Sequence, residues 1–216
     1  MIHVDNQREL VQLPITGGVF LEGPAGSGKT TAAVMRMLHL IDAGEPGGSI
    51  LILLPQRTLS TPYISAMSKP EVSPSGLVSV LTTGGIAQRM VELFWPLVSS
   101  QAGFGQPNSP PTFLTLETAQ YYMARLVSPL LAEGYFASVV IERNRLFSQI
   151  LDNLNKSAIV GFPFTEIGER LKSAWTGSPA QLRVYDDCQY CAFQFRQLCL
   201  NNNLLDFSLQ IEVFWK

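Results

Sequence analysis

The sequence predicts an α/β fold: a parallel sheet with helices on both faces, followed by an all-helical part. Three observations predict it. Over the first hundred residues, short apolar runs alternate with segments of helical spacing, the pattern of a sheet covered by helices. A glycine-rich stretch, Gly23-Pro-Ala-Gly-Ser-Gly-Lys-Thr30, falls between an apolar run and a helical segment. Beyond "SSQAGFGQPNSPPT" (99–112), which is rich in Gly, Pro, Ser, Gln and Asn, only helical spacing follows.

The elements run as follows. "GVFLE" (18–22) reads as the first strand and "KTTAAVMRMLHLIDAG" (29–44) as a helix closed by Gly44. "SILILL" (49–54) is a fully apolar strand, "TLSTPYISAMSK" a short proline-interrupted helix or turn, and "LVSVLTT" (77–83) a third strand. "IAQRMVELFWPLV" (86–98) is the next helix. In the helical part, "TLETAQYYMARLVSPLLAEGYF" opens on a capping-box-like start at Thr115. "VVIERNRLFSQILDNLNKSAIV", "TEIGERLKSAWTG" and "SPAQLRVYDDCQYCAFQFRQLCLNNN" supply three more helices.

Composition excludes several classes. Apolar residues make up 46% of the 216 and charged residues 15%, enough apolar material for a sizeable core. The net charge of -2 gives no global basic footprint, so any nucleic-acid contact must come from a local groove. No apolar run approaches the ~20 residues that span a bilayer, and "MIHVDNQREL" has no signal-peptide pattern, so no membrane partner is expected. Cys188, Cys191 and Cys199 form an odd set on one helical face, far in sequence from His3 and His39. They read as core residues and suit a reducing cytoplasm better than a disulfide framework.

The glycine-rich stretch carries the chemistry. A nucleoside triphosphate needs many donors around its β- and γ-phosphates. Gly23, Gly26 and Gly28 let the backbone curl, with Pro24, Ala25 and Ser27 between them, so that successive N–H groups converge on those oxygens. Lys29 brings positive charge to the phosphates, Thr30 offers a hydroxyl to Mg²⁺, and the helix through Thr31 directs its positive end at the anion. A nucleoside triphosphate and Mg²⁺ are therefore the expected ligand and ion, and the loop alone does not choose among the nucleotides.

Four segments in order resemble superfamily 1 DNA helicases of the UvrD/Rep/PcrA type. "DNQREL" (5–10) resembles the N-Q-R-E element, in which the glutamine, here Gln7, reads adenine. The phosphate loop follows. "TGGIAQRM" resembles the segment that contacts single-stranded DNA, mapping Thr82, Thr83 and Gly84 onto its threonine, aromatic and histidine positions. "NNNLLDFSLQIEVF" resembles the segment where the helical insert ends and the chain rejoins the core. The resemblance implies a RecA-like P-loop core over 1–111, a helical insert over 112–205 and a return segment over 206–216. It also implies single-stranded DNA and a second RecA-like domain of a longer chain as partners.

There are departures. Thr31 stands where the family often has an adenine-stacking arginine. "LLPQRTL" lacks the family's threonine and lysine in that segment, leaving Arg57 as a DNA-backbone contact or a solvated charge. The family's D-E-x-Q-D, which positions metal and water for hydrolysis, has no counterpart. Glu142, Asp186, Asp187 and Asp206 are the acids closest to apolar runs, and each reads as a helix-surface acid. The expectation is an ATP-binding N-terminal piece of a DNA helicase, unable to hydrolyse ATP alone. The alternatives are a small P-loop kinase, which would need an arginine-bearing lid, or a non-enzymatic nucleotide-binding module.

Overall fold

Residues 7–69 and 76–216 are described by the computed structural model. They fall into two units, residues 1–85 and 86–216.

The first unit holds helices α1 (Gln7–Gln12), α2 (Lys29–Asp42) and α3 (Thr61–Met67), and strands β1 (Leu51–Leu54) and β2 (Ser79–Thr82). The strands pair in parallel, Leu51 opposite Ser79 through Leu54 opposite Thr82. Alternation along the pair sorts the side chains. Ile52, Leu54, Val78 and Val80 pack with Met37 and Ile41 of α2 and with Tyr63 and Ala66 of α3. Leu51 and Leu53 point the other way and stay about half exposed, at 47% and 51%. Among the described residues, helices therefore cover one face of this sheet, and the expectation of helices on both faces is not met.

A second correction concerns "GVFLE". Residues 18–22 form no strand, and Phe20 is 72% exposed. A parallel strand is stable only with a ladder partner. Here β1 and β2 pair with each other, and residues 18–22 pair with neither of their open outer edges.

Local signals explain the helix ends. Gly44 takes φ +96 just beyond α2, and its N–H reaches the carbonyl of Ile41 at 3.0 Å. A short 3-10 turn, Arg57–Ser60, leads into α3, where Pro62 sits in the first turn and needs no donor.

The second unit contains most of α4 (Thr83–Ala102), then β3 (Thr112–Phe113), α5 (Leu116–Ala132), α6 (Arg143–Val160), α7 (Ile167–Ser173), α8 (Arg183–Asn201), β4 (Leu204–Leu205) and α9 (Phe207–Phe214). Its main core cluster is built on Met123, Val127, Ile150, Leu154, Phe195 and Leu205, beside a small second cluster of Ala87, Ala158 and Ile211. Thr115 caps α5 by accepting from the Thr118 N–H at 3.3 Å. Gly161, at φ +86, ends α6.

The expected all-helical part thus carries one addition, a two-residue parallel ladder of β3 with β4. The expected connection 99–112 also begins later, because α4 runs on to Ala102. The remaining loop is pinned by Asn203, whose amide nitrogen donates to the carbonyls of Gln106 at 2.6 Å and Ser109 at 3.1 Å. Among the described residues no helix is long and apolar enough to cross a membrane.

Candidate nucleotide-binding site

The loop between residues 22 and 29 turns through two left-handed glycines, Gly26 at φ +79 and Gly28 at φ +82. Only glycine adopts that conformation without steric cost, so the spacing seen in the sequence is required by the backbone. A Cβ at Gly23 would meet Ser27 Oγ at 2.7 Å, so a larger residue there would push the serine side chain aside. Gly28 is the N-cap of α2 and supplies no side-chain oxygen to the first turn. The first N–H groups of α2 are thus left to an outside acceptor, at the positive end of a 14-residue helix.

Lys29 folds across this loop. Its ammonium donates to the carbonyls of Gly23 at 2.6 Å and Pro24 at 2.7 Å, and lies 3.4 Å from Ser27 Oγ. Pro24 and Ala25 form the exposed tip, and the Ser27 N–H closes the turn onto the Pro24 carbonyl at 3.3 Å. Thr30 and Thr31 are exposed in the first turn of α2. Both line an open cavity of about 920 Å³ with Val34, Leu54, Pro55 and Leu59. That cavity joins the start of α2 to the carboxyl end of β1, where parallel sheets hold ligands.

Register brings the expected nucleic-acid contacts to the same end of the sheet. Leu54 lies opposite Thr82, so the segment through Arg57 and the segment Thr82 to Gly84 both leave the strands there. Arg57 is exposed at the start of its 3-10 turn. Thr82 ends β2, and its Oγ1 accepts from the Gly85 N–H at 3.0 Å, capping the start of α4. Thr83 and Gly84 already belong to the first turn of α4 and not to the strand. Gln7 begins α1, but its side chain lies outside what the structure describes.

The four acids are each committed elsewhere. Glu142 caps α6, accepting from the N–H groups of Asn144 at 3.0 Å and Arg145 at 2.8 Å. Those bonds hold its carboxyl below the usual range. Asp186 pairs with Lys172. Asp187 is buried and accepts from the Phe136 N–H at 2.8 Å, at a residue held in a left-handed conformation. Asp206 caps α9, accepting from Ser208 Oγ at 2.6 Å.

Cys188, Cys191 and Cys199 lie in the core along α8, and burial pushes all three thiols up, Cys191 to about 12. Such thiols are poor nucleophiles and poor metal ligands.

Sequence reasoning missed Arg36 on α2, whose guanidinium reaches the carbonyl end of α1, and Arg196, buried between Asp206 and Glu212. Arginines in helical segments carry no periodic signal that separates such roles from solvated charge.

Residues 5–94 match the model of the DEAD/DEAH box helicase family. The match spans the phosphate loop and both strands of the first unit, and it supports a helicase superfamily and a nucleotide-binding, helicase-type function. No curated protein matches the chain.

Proposed function

We propose that the chain is the N-terminal ATP-binding region of a UvrD-like DNA helicase or translocase, and that these 216 residues bind ATP without splitting it. The observation that carries the reading is the loop itself: two left-handed glycines, an uncapped helix start and a lysine laid across the opening. Preorganised N–H donors and a nearby ammonium suit a phosphate group, whose oxygens would compete with the Gly23 and Pro24 carbonyls for Lys29. Thr30 fits as the hydroxyl that meets Mg²⁺, being exposed in the same turn. Bound there, the ion would neutralise charge between the β- and γ-phosphates.

β3 and β4 pair at the two ends of 112–205, and Asp206 caps the helix that follows, which supports reading 112–205 as an excursion from the core and 206–216 as the return. The open outer edges of β1 and β2 suit a sheet completed by further strands of a longer helicase chain, and the half-exposed Leu51 and Leu53 suit a face covered by its helices. Arg57, Thr82, Thr83 and Gly84 share the carboxyl end of the strands, which suits them to single-stranded DNA. Lack of turnover follows from the acids: all four candidates are engaged in caps, ion pairs or buried hydrogen bonds, and phosphoryl transfer depends on a positioned carboxylate.

The test is ATP turnover by the purified chain, with and without single-stranded DNA, beside Lys29→Ala. The expected result is no turnover above the lysine variant. DNA-stimulated turnover abolished by Lys29→Ala would mean that a catalytic acid is present, and Glu142, Asp186 and Asp187 would be substituted first.

A further inference from the structure

Helix α2 carries Lys29 in its first turn and Arg36 about two turns later. Arg36 faces away from the cavity that Thr30, Thr31 and Val34 line, because positions 32 and 36 share one side of the helix and positions 30 and 34 another. Its guanidinium reaches α1. Nη1 donates to the carbonyls of Leu10 at 3.0 Å, Val11 at 3.4 Å and Leu13 at 2.8 Å, and Nη2 donates to that of Pro14 at 3.2 Å.

The Leu10 and Val11 carbonyls belong to the last turn of α1, at the negative pole of its dipole, and those of Leu13 and Pro14 follow just beyond its end; the Leu10 carbonyl also accepts from the Leu13 N–H at 3.4 Å. Helix α1 has six residues and no basic residue in its own last turn. A helix that short does not stand alone in water. Its place beside α2 is therefore set from outside, by Arg36 and by burial of Leu10, which is 5% exposed.

We propose that Arg36 is a positioning residue for base recognition. It locks the segment that begins at Gln7 to the helix that carries the phosphate loop, so that base-reading and phosphate-binding groups ride on one rigid piece. The ligand class this device selects is the adenine nucleotide, as against a bare polyphosphate or another base. Arg36 itself touches no nucleotide. The inference rests on the reading of Gln7 as the base contact. A lysine replaces the guanidinium only in part, because one ammonium lacks the fork that spans carbonyls from Leu10 to Pro14.

The test is equilibrium binding of Mg-ATP, Mg-GTP and inorganic tripolyphosphate to the wild type, Arg36→Met, Arg36→Lys and Gln7→Ala. In the wild type ATP is preferred over GTP. In Arg36→Met, ATP affinity falls about tenfold, as loss of a tethered hydrogen-bonding contact implies, while tripolyphosphate affinity stays within about twofold. Arg36→Lys loses part of the same preference. A smaller folded fraction lowers all three affinities together, so the ATP-to-tripolyphosphate ratio reports positioning and not stability.

Equal losses for ATP and tripolyphosphate overturn the proposal, as does an ATP preference untouched in both Arg36 variants. If Arg36→Met does not fold, a full preference in Arg36→Lys overturns it. Preference lost in Gln7→Ala but kept in the Arg36 variants leaves the base reading standing and removes Arg36 alone. A wild type that binds tripolyphosphate yet does not distinguish ATP from GTP overturns the base reading, and this inference with it.

Discussion

At the scale of single residues, Gly28 and Glu142 show how local conformation decides what a side chain can do. Gly28 sits at φ +82, where any L side chain costs about 1–2 kcal/mol. Gly28→Ala is expected to lower the melting temperature and to weaken ATP binding, because the loop must relax out of the conformation that aims its N–H groups. Gly48, which has no positive φ and open space around it, provides the control: Gly48→Ala should stay within about 0.5 kcal/mol of the wild type by chemical denaturation.

Glu142 gives a pH signature. Its folded-state pKa is lowered by the Asn144 and Arg145 N–H groups, so its contribution is complete above the unfolded value near 4.5 and is lost as pH falls through the folded value. Glu142→Ala should therefore melt below the wild type at neutral pH, with the difference shrinking under acid conditions. A difference that grew as pH fell would contradict the cap. The loop glycines and Lys29 were legible in the sequence because their spacing is a backbone requirement. Arg36 and Arg196 were not, since their partners are carbonyls and acids distant in the chain.

At the scale of elements, α8 and α9 are joined by a buried charge cluster. Arg196 is 2% exposed, its Nη2 donates to Glu212 at 2.6 Å and to Ser208 Oγ at 3.0 Å, and its Nη1 lies 3.5 Å from Asp206. Its guanidinium also stands 5.1 Å above the Phe164 ring. Burial pushes the Glu212 carboxyl above its usual range despite the neighbouring arginine. Arg196→Ala would leave two carboxylates without their counter-charge, an expected cost of about 3–5 kcal/mol, read by urea denaturation. A loss under about 1 kcal/mol would show the cluster to be solvated.

Helices were the more legible elements. Each of α2, α5, α6 and α8 carries its own periodic apolar stripe and, in α2, α5 and α6, a terminal glycine or a capping side chain. Strands were less so, because an apolar run states a capacity to pair and not the presence of a partner. "SILILL" found β2; "GVFLE", with similar composition, found none among the described residues.

At the scale of the molecule, the sequence placed the change from an α/β part to a helical part at 111–112, and the described residues divide at 85–86, with parallel strands packed on α2 and α3 in one unit and a largely helical core with the short β3–β4 ladder in the other. What it overstated is the sheet, which needs neighbours on both edges and cover on both faces to match the expectation. The proposed function concentrates in the first unit, where the loop, the cavity beside Thr30 and Thr31, and the ends of both strands come together. The most direct test of that concentration is equilibrium binding of Mg-ATP to the chain and to Lys29→Ala, by calorimetry at fixed salt. Removing the ammonium that crosses the loop should weaken binding about tenfold or more, equivalent to ~1.4 kcal/mol. Undetectable binding to the wild type, or equal affinity in Lys29→Ala, would contradict the assignment of this loop as a nucleotide site.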